Sequence, residues 1–69
     1  MKVKIDDYIL DITKGSYGDI GKVTRINDDI VYAIWLNGDE TVKDNELFYR
    51  NNKGKFKVIS EEEALVYLI

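Results

Sequence analysis

The chain contains no cysteine, no histidine and no proline. Without cysteine there is no disulfide and no thiol nucleophile, and without histidine as well the usual zinc ligand sets are excluded. A chain this short must then hold its fold by packing alone. The absence of cysteine fits a reducing compartment, and a cytoplasmic location is expected. No stretch approaches the roughly 18 uninterrupted apolar residues of a membrane span. The first residues alternate charged and apolar side chains without an apolar h-region, so neither a signal peptide nor a membrane partner is expected. An excess of basic charge is missing too. Thirteen acidic residues against ten basic ones give a formal charge of −3, which brings no global attraction to nucleic acid.

A hydrophobic content of 45% with 12% aromatic residues argues firmly against disorder. Sixty-nine residues suffice for one domain, 1–69, since neither half alone would bury a core. Richness in Ile, Lys, Asn, Asp and Tyr without proline suggests an AT-rich coding genome, and a bacterial or phage origin is expected.

Lys2-Val3-Lys4-Ile5 alternates polar and apolar residues as a short strand or strand-like entry would, and Asp6-Asp7 marks a turn. Tyr8 to Ile12 reads as a strand. The loop after it carries glycine at every third position, Gly15, Gly18 and Gly21, and leads into the strand Lys22 to Asn27. Val23 and Ile26 are out of step with a period of two, which predicts a bulge or sharp coil. Asp28-Asp29 supplies a two-residue turn into Ile30 to Leu36, a run apolar on both faces that requires cover from both sides. Asn37-Gly38 carries a type I′ turn signal into a strand over Glu40 to Lys43. Leu47 to Arg50 and Lys55 to Ile59 read as a hairpin around 51–54. Ser60-Glu61-Glu62-Glu63 is a capping box with acids in the first turn. It opens a short helix whose apolar face combines Ala64, Leu65, Leu68 and Ile69. That face is expected over the outward side of the strand carrying Tyr32, Ile34 and Leu36. Val66-Tyr67-Leu68-Ile69 also has good strand propensity, so a terminal strand remains the competing assignment.

Ile12, Gly15, Gly18, Gly21, Lys22, Val23 and Ile26 together resemble the KOW motif of transcription elongation factors and several ribosomal proteins. Val31-x-Ala33-x-Trp35-x-x-Gly38 is similar to a strand of other small SH3-like domains. The resemblance spans residues 9–38. It implies a mainly β fold, a small SH3-like barrel of about five strands with the short C-terminal helix added. The Gly loop and barrel strands would occupy 8–50, and the terminal hairpin and helix 47–69. Domains of this kind bind RNA, RNA polymerase or another protein. This chain departs from the pattern by placing Ser16, Tyr17 and Asp19 where an RNA-binding loop would be basic.

The residues themselves point away from catalysis. Asp6-Asp7 and Asp28-Asp29 are carboxylate pairs, but adjacent strand residues face opposite sides and both pairs are good turn formers. The glycine spacing matches neither a dinucleotide fingerprint nor a Walker loop. No calcium-loop spacing occurs, and Glu61 to Glu63 are explained as helix capping. No catalytic residue, metal site or cofactor is expected.

A non-enzymatic binding module for a protein partner is the preferred expectation, with transcription, translation or phage–host machinery as its setting. Tyr17 and Asp19 from the Gly loop, with Asp28, Asp29 and Asp39 from hairpin ends, would form an acidic surface around an aromatic anchor. Trp35 is either core or the wall of a shallow groove. The alternative is RNA or DNA binding through the basic hairpin, with Arg50, Lys53, Lys55 and Lys57 for phosphates and Tyr49 and Phe56 for stacking. A solubilised edge strand explains the same lysines. A third option is a small regulatory or inhibitory subunit of an enzyme. Nothing in the sequence specifies an oligomeric state.

Overall fold

A computed structural model describes residues 3–13, 18–38, 46–50 and 55–69, with the backbone alone for 47–50. The strands are β1 (Tyr8–Asp11), β2 (Ile20–Asn27), β3 (Ile30–Trp35), β4 (Glu46–Arg50) and β5 (Phe56–Ile59), followed by helix α1 (Glu61–Leu68). They form an antiparallel sheet in the order β4-β3-β2-β1-β5. The chain therefore runs as a meander from β1 to β4 and then returns to lay β5 on the far side of β1.

The predicted hairpin of the last two strands does not form. β4 spends its ladder on β3, while β5 pairs with β1. Among the described residues the two strands are opposite edges of the sheet. The strand expected over Glu40 to Lys43 lies outside the described residues. Val3 and Lys4 are not strand either; the Asp7 amide donates to the Lys4 carbonyl at 3.0 Å across a turn in which Asp6 has φ of 76°. Asp6 and Asp7 both pair with Val23, through Asp6 N–H to the Val23 carbonyl and Val23 N–H to the Asp7 carbonyl. A left-handed residue opening such a two-against-one pairing makes a G1-type bulge, and aspartate tolerates that conformation better than most side chains.

One face of the sheet holds the main core: Ile9, Val23, Val31, Ala33, Trp35 and Phe56, flanked by Val3 and Val58. Trp35 is fully buried there, so it is core and not the wall of a groove. Its ring fits because Gly21 stands opposite it. A Cβ on Gly21 would lie 3.0 Å from Trp35 Cε3 and 3.2 Å from Ala33 Cβ. The third glycine of the motif is thus a packing requirement.

The opposite, outward face carries a second cluster of Leu10, Ile20, Ile59 and Ala64, with Tyr8, Leu36 and Leu68 at its margin. Here α1 docks. Ser60 caps it as expected, its hydroxyl accepting from the Glu63 amide at 3.1 Å, and the terminal segment is helix rather than strand. Its position differs from expectation. Neighbouring outward positions on β1, β2 and β5 are apolar and make the larger patch, so the helix covers them and leaves Ile34 of β3 exposed. Its buried stripe is also narrower. Ala64 is buried and Leu68 half-buried, while Leu65 and Ile69 face solvent.

Candidate functional site

The uncovered half of the outward face is organised by one extra residue. Val23 pairs with Ala33 but Arg25 pairs with Tyr32, so Thr24 is a bulge in β2. The offset between Val23 and Ile26 anticipates it, since both face inward only if a residue is inserted between them. The same insertion turns Lys22 and Arg25 to a common outward side, where a regular strand would separate them. The outward row of side chains then runs Tyr8, Lys22, Ile34 and Glu46 across four strands, each opposite the next.

These side chains are held. Arg25 lies over the Tyr32 ring with its guanidinium carbon 3.7 Å from the centroid, a close cation–π contact. One of its nitrogens reaches Glu46 Oε1 at 3.4 Å. Glu46 Oε2 accepts from the Thr24 hydroxyl at 2.8 Å, with the Tyr32 carbonyl 3.3 Å from the same hydroxyl. The bulge residue therefore fixes the carboxylate that orients the arginine. Glu46 is held below the ordinary glutamate pKa, first by the Thr24 hydrogen bond and then by Arg25, against an opposing contribution from partial desolvation. Lys22 Nζ sits 5.7 Å from the Tyr8 centroid. Beside these groups Ile34 keeps 38% of its surface exposed.

The acidic surface expected from the sequence is not assembled as one patch. Tyr17 and Asp39 lie outside the described residues. Asp19 is half-buried at the start of β2, its carbonyl accepting from the Asp11 amide at 2.9 Å. Asp28 and Asp29 are exposed in the turn at the other end of that strand. Nine residues along a strand rising about 3.3 Å per residue put them nearly the length of the molecule apart; the longest extent is 31 Å. Their role in the turn is clear, since Asp28 supplies the positive φ of 54° that a tight two-residue hairpin requires.

The basic group is also split. Arg50 pairs with Ile30 and Tyr49 with Val31 at one edge, whereas Lys55 and Lys57 are exposed at the other. Lys53 lies outside the described residues. Phe56, a proposed stacking residue, is 2% exposed in the core and has no face for a base.

Besides the group of Lys22, Arg25, Tyr32 and Glu46, two features were missed from sequence. Asn37 does not make a type I′ turn, which needs positive φ at both central residues; Gly38 has it, at 108°, and Asn37 does not. Its carboxamide instead clips the end of the Gly loop, Oδ1 accepting from the Ile20 amide at 2.7 Å and Nδ2 donating to the Gly18 carbonyl at 3.3 Å. Asp11 is a buried acid whose Oδ1 accepts from the Thr13 amide at 2.8 Å and from the Thr13 hydroxyl, shaping the exit from β1. An aspartate followed two residues later by threonine is a weak signal for such a turn.

Among the described residues no cluster of three His, Cys, Asp or Glu side chains is placed to hold a metal ion, and no helix is long and apolar enough to cross a membrane. Comparison with protein-family models, with curated proteins and with solved structures gave no match for this chain.

Proposed function

We propose that this protein is a non-enzymatic binding module that recognises a protein partner through the outward face of β2 and β3. The observation that carries the reading is the pre-ordered group of Arg25, Tyr32, Glu46 and Lys22 around exposed Ile34. Side chains already locked by neighbours lose less entropy on association, and an apolar centre within a charged rim is the anatomy of a protein interface. A nucleic-acid surface would present open ring faces and unopposed cations. Here the Tyr32 ring is covered by Arg25, and Glu46 stands among the cations.

The same reading takes the sheet as an SH3-like barrel. A meander order over β1 to β4, a last strand returning beside the first and a bulged β2 support it, since closure of a small barrel calls for such features.

Capture from a nuclease-treated low-GC bacterial lysate, with wild type and Ile34→Glu side by side, tests the function. Proteins retained by wild type and lost with the variant, at an unchanged Tm, support the outward face as the site. An identical protein set from both removes that face. Material that disappears on nuclease treatment alone moves the function to nucleic acid.

A further inference from the structure

The bulge fixes a spacing as well as a side. Lys22 stands opposite Ile34 and Arg25 opposite Tyr32, two positions apart on β3. At about 3.3 Å per residue the two cations are therefore anchored roughly 7 Å apart along the strand. Residues i and i+2 of any extended segment share that spacing and project to the same side. Arg25 retains donors for a ligand. Its side chain is 57% exposed, and its 3.4 Å contact with Glu46 is long for a charge-assisted bond. Glu46 keeps its charge while its Oε2 accepts from Thr24, so the face sets two cations against one carboxylate, a balance that attracts a few discrete carboxylates and matches a continuous run of phosphates poorly.

We propose that the outward face of β2 and β3 takes an extended acidic segment of a protein partner, with carboxylates two residues apart paired to Lys22 and Arg25 beside Ile34. This rests on the reading of that face as protein-binding and specifies the class of segment it accepts.

The probe is a capped hexapeptide with glutamate at alternate positions and valine between, titrated into the full-length labelled protein and followed by amide chemical shifts. Saturable shifts at residues 22, 25, 32 and 34 are expected. Replacing the glutamates by glutamine removes both pairs and should weaken binding by about a hundredfold, about tenfold for each hydrogen bond to a charged group. Arg25→Gln and Lys22→Gln, which remove one pair each, should each lose about tenfold. Arg25→Lys, which keeps the charge and disturbs folding least, should fall between Arg25→Gln and wild type. Lys57→Gln, on the edge strand β5, should bind as wild type does. Equal binding of the glutamine peptide overturns the proposal, as does an undiminished response in both Arg25 variants. Oligothymidylate moving the same amides at lower concentration overturns it in favour of nucleic acid. If the peptide fails while Ile34→Glu still loses its captured protein, the acidic segment is wrong and the protein-binding face stands. If Ile34→Glu captures as wild type does, the face itself is wrong.

Discussion

The two halves of the outward sheet face share β2 and meet different fates. On the β5–β1 side, Leu10, Ile20 and Ile59 lie beneath α1 and are shut away from water. On the β3 side, Ile34 stands in solvent among Lys22, Arg25 and Glu46. Strand propensity does not separate them, since both halves are rich in β-branched residues. What separates them is charge. An eight-residue helix is marginal alone and must find a contiguous apolar bed, which the row containing Lys22 and Arg25 cannot offer. One half is spent on stability and the other is left for contact.

Paired truncations put that division at risk most directly. Leu10→Ala should destabilise by about 2–4 kcal/mol, as for a fully buried leucine. That is a large share of the roughly 3–10 kcal/mol expected of a domain this size. Ile34→Ala should change stability by about 0.5–1 kcal/mol, as an exposed position does. Urea unfolding of the two variants measures the contrast. Equal losses would mean that both halves are core.

Gly21→Ala comes next. Its new Cβ meets Trp35 and Ala33 at 3.0–3.2 Å, so the indole must move within a full core. A loss of about 1–3 kcal/mol is expected, the usual scale of overpacking. Calorimetry that finds Gly21→Ala as stable as wild type would show that the β2–β3 approach has slack.

Much of this was legible in local pattern. The capping box named Ser60 and Glu63, the phase slip between Val23 and Ile26 named the bulge, and Asp28-Asp29 named a turn. Such features are decided within a few residues. Partner choice between distant strands is not. Leu47–Arg50 and Lys55–Ile59 flank good turn residues, so local chemistry suggests a hairpin, yet β4 and β5 bond to β3 and β1. The charged patch was hidden for a related reason. Arg25 and Glu46 are 21 positions apart and become neighbours only through the β3–β4 pairing. Asn37 was misread because Asn-Gly is a strong turn signal, whereas its carboxamide is occupied by a loop 17 to 19 residues earlier.

The helix and the loop clip give smaller tests of what secures the covered half. Ser60→Ala removes the acceptor for the Glu63 amide and should cost about 1 kcal/mol, lowering protection of the α1 amides from hydrogen exchange. Asn37→Ala leaves the Ile20 amide without its partner and should cost about 1–2 kcal/mol. Its loosening should be local to residues 18–20. Exchange spreading to α1 instead would show that loop and helix are one cooperative unit.

The smallest effect is confined to the exposed half and to acid. Glu46 has its pKa lowered in the folded state, so the ionised form favours folding. The contribution is fully present above the ordinary value of 4.5 and fades as pH falls through that value towards the lower folded one. The Tm advantage of wild type over Glu46→Gln should therefore shrink between neutral pH and pH 3, with no slope above pH 6. Titration of the Glu46 carboxyl by NMR should read both lowering partners. Thr24→Val removes the leading hydrogen bond and Arg25→Gln removes the cation, and each should return the pKa towards 4.5. No shift in Thr24→Val beside a full one in Arg25→Gln would make the ion pair the organiser of the patch and reduce the bulge hydroxyl to a bystander. The patch would then be fixed by an exposed pair that salt loosens, and binding through Arg25 would fall more steeply with ionic strength than a hydroxyl-anchored site allows.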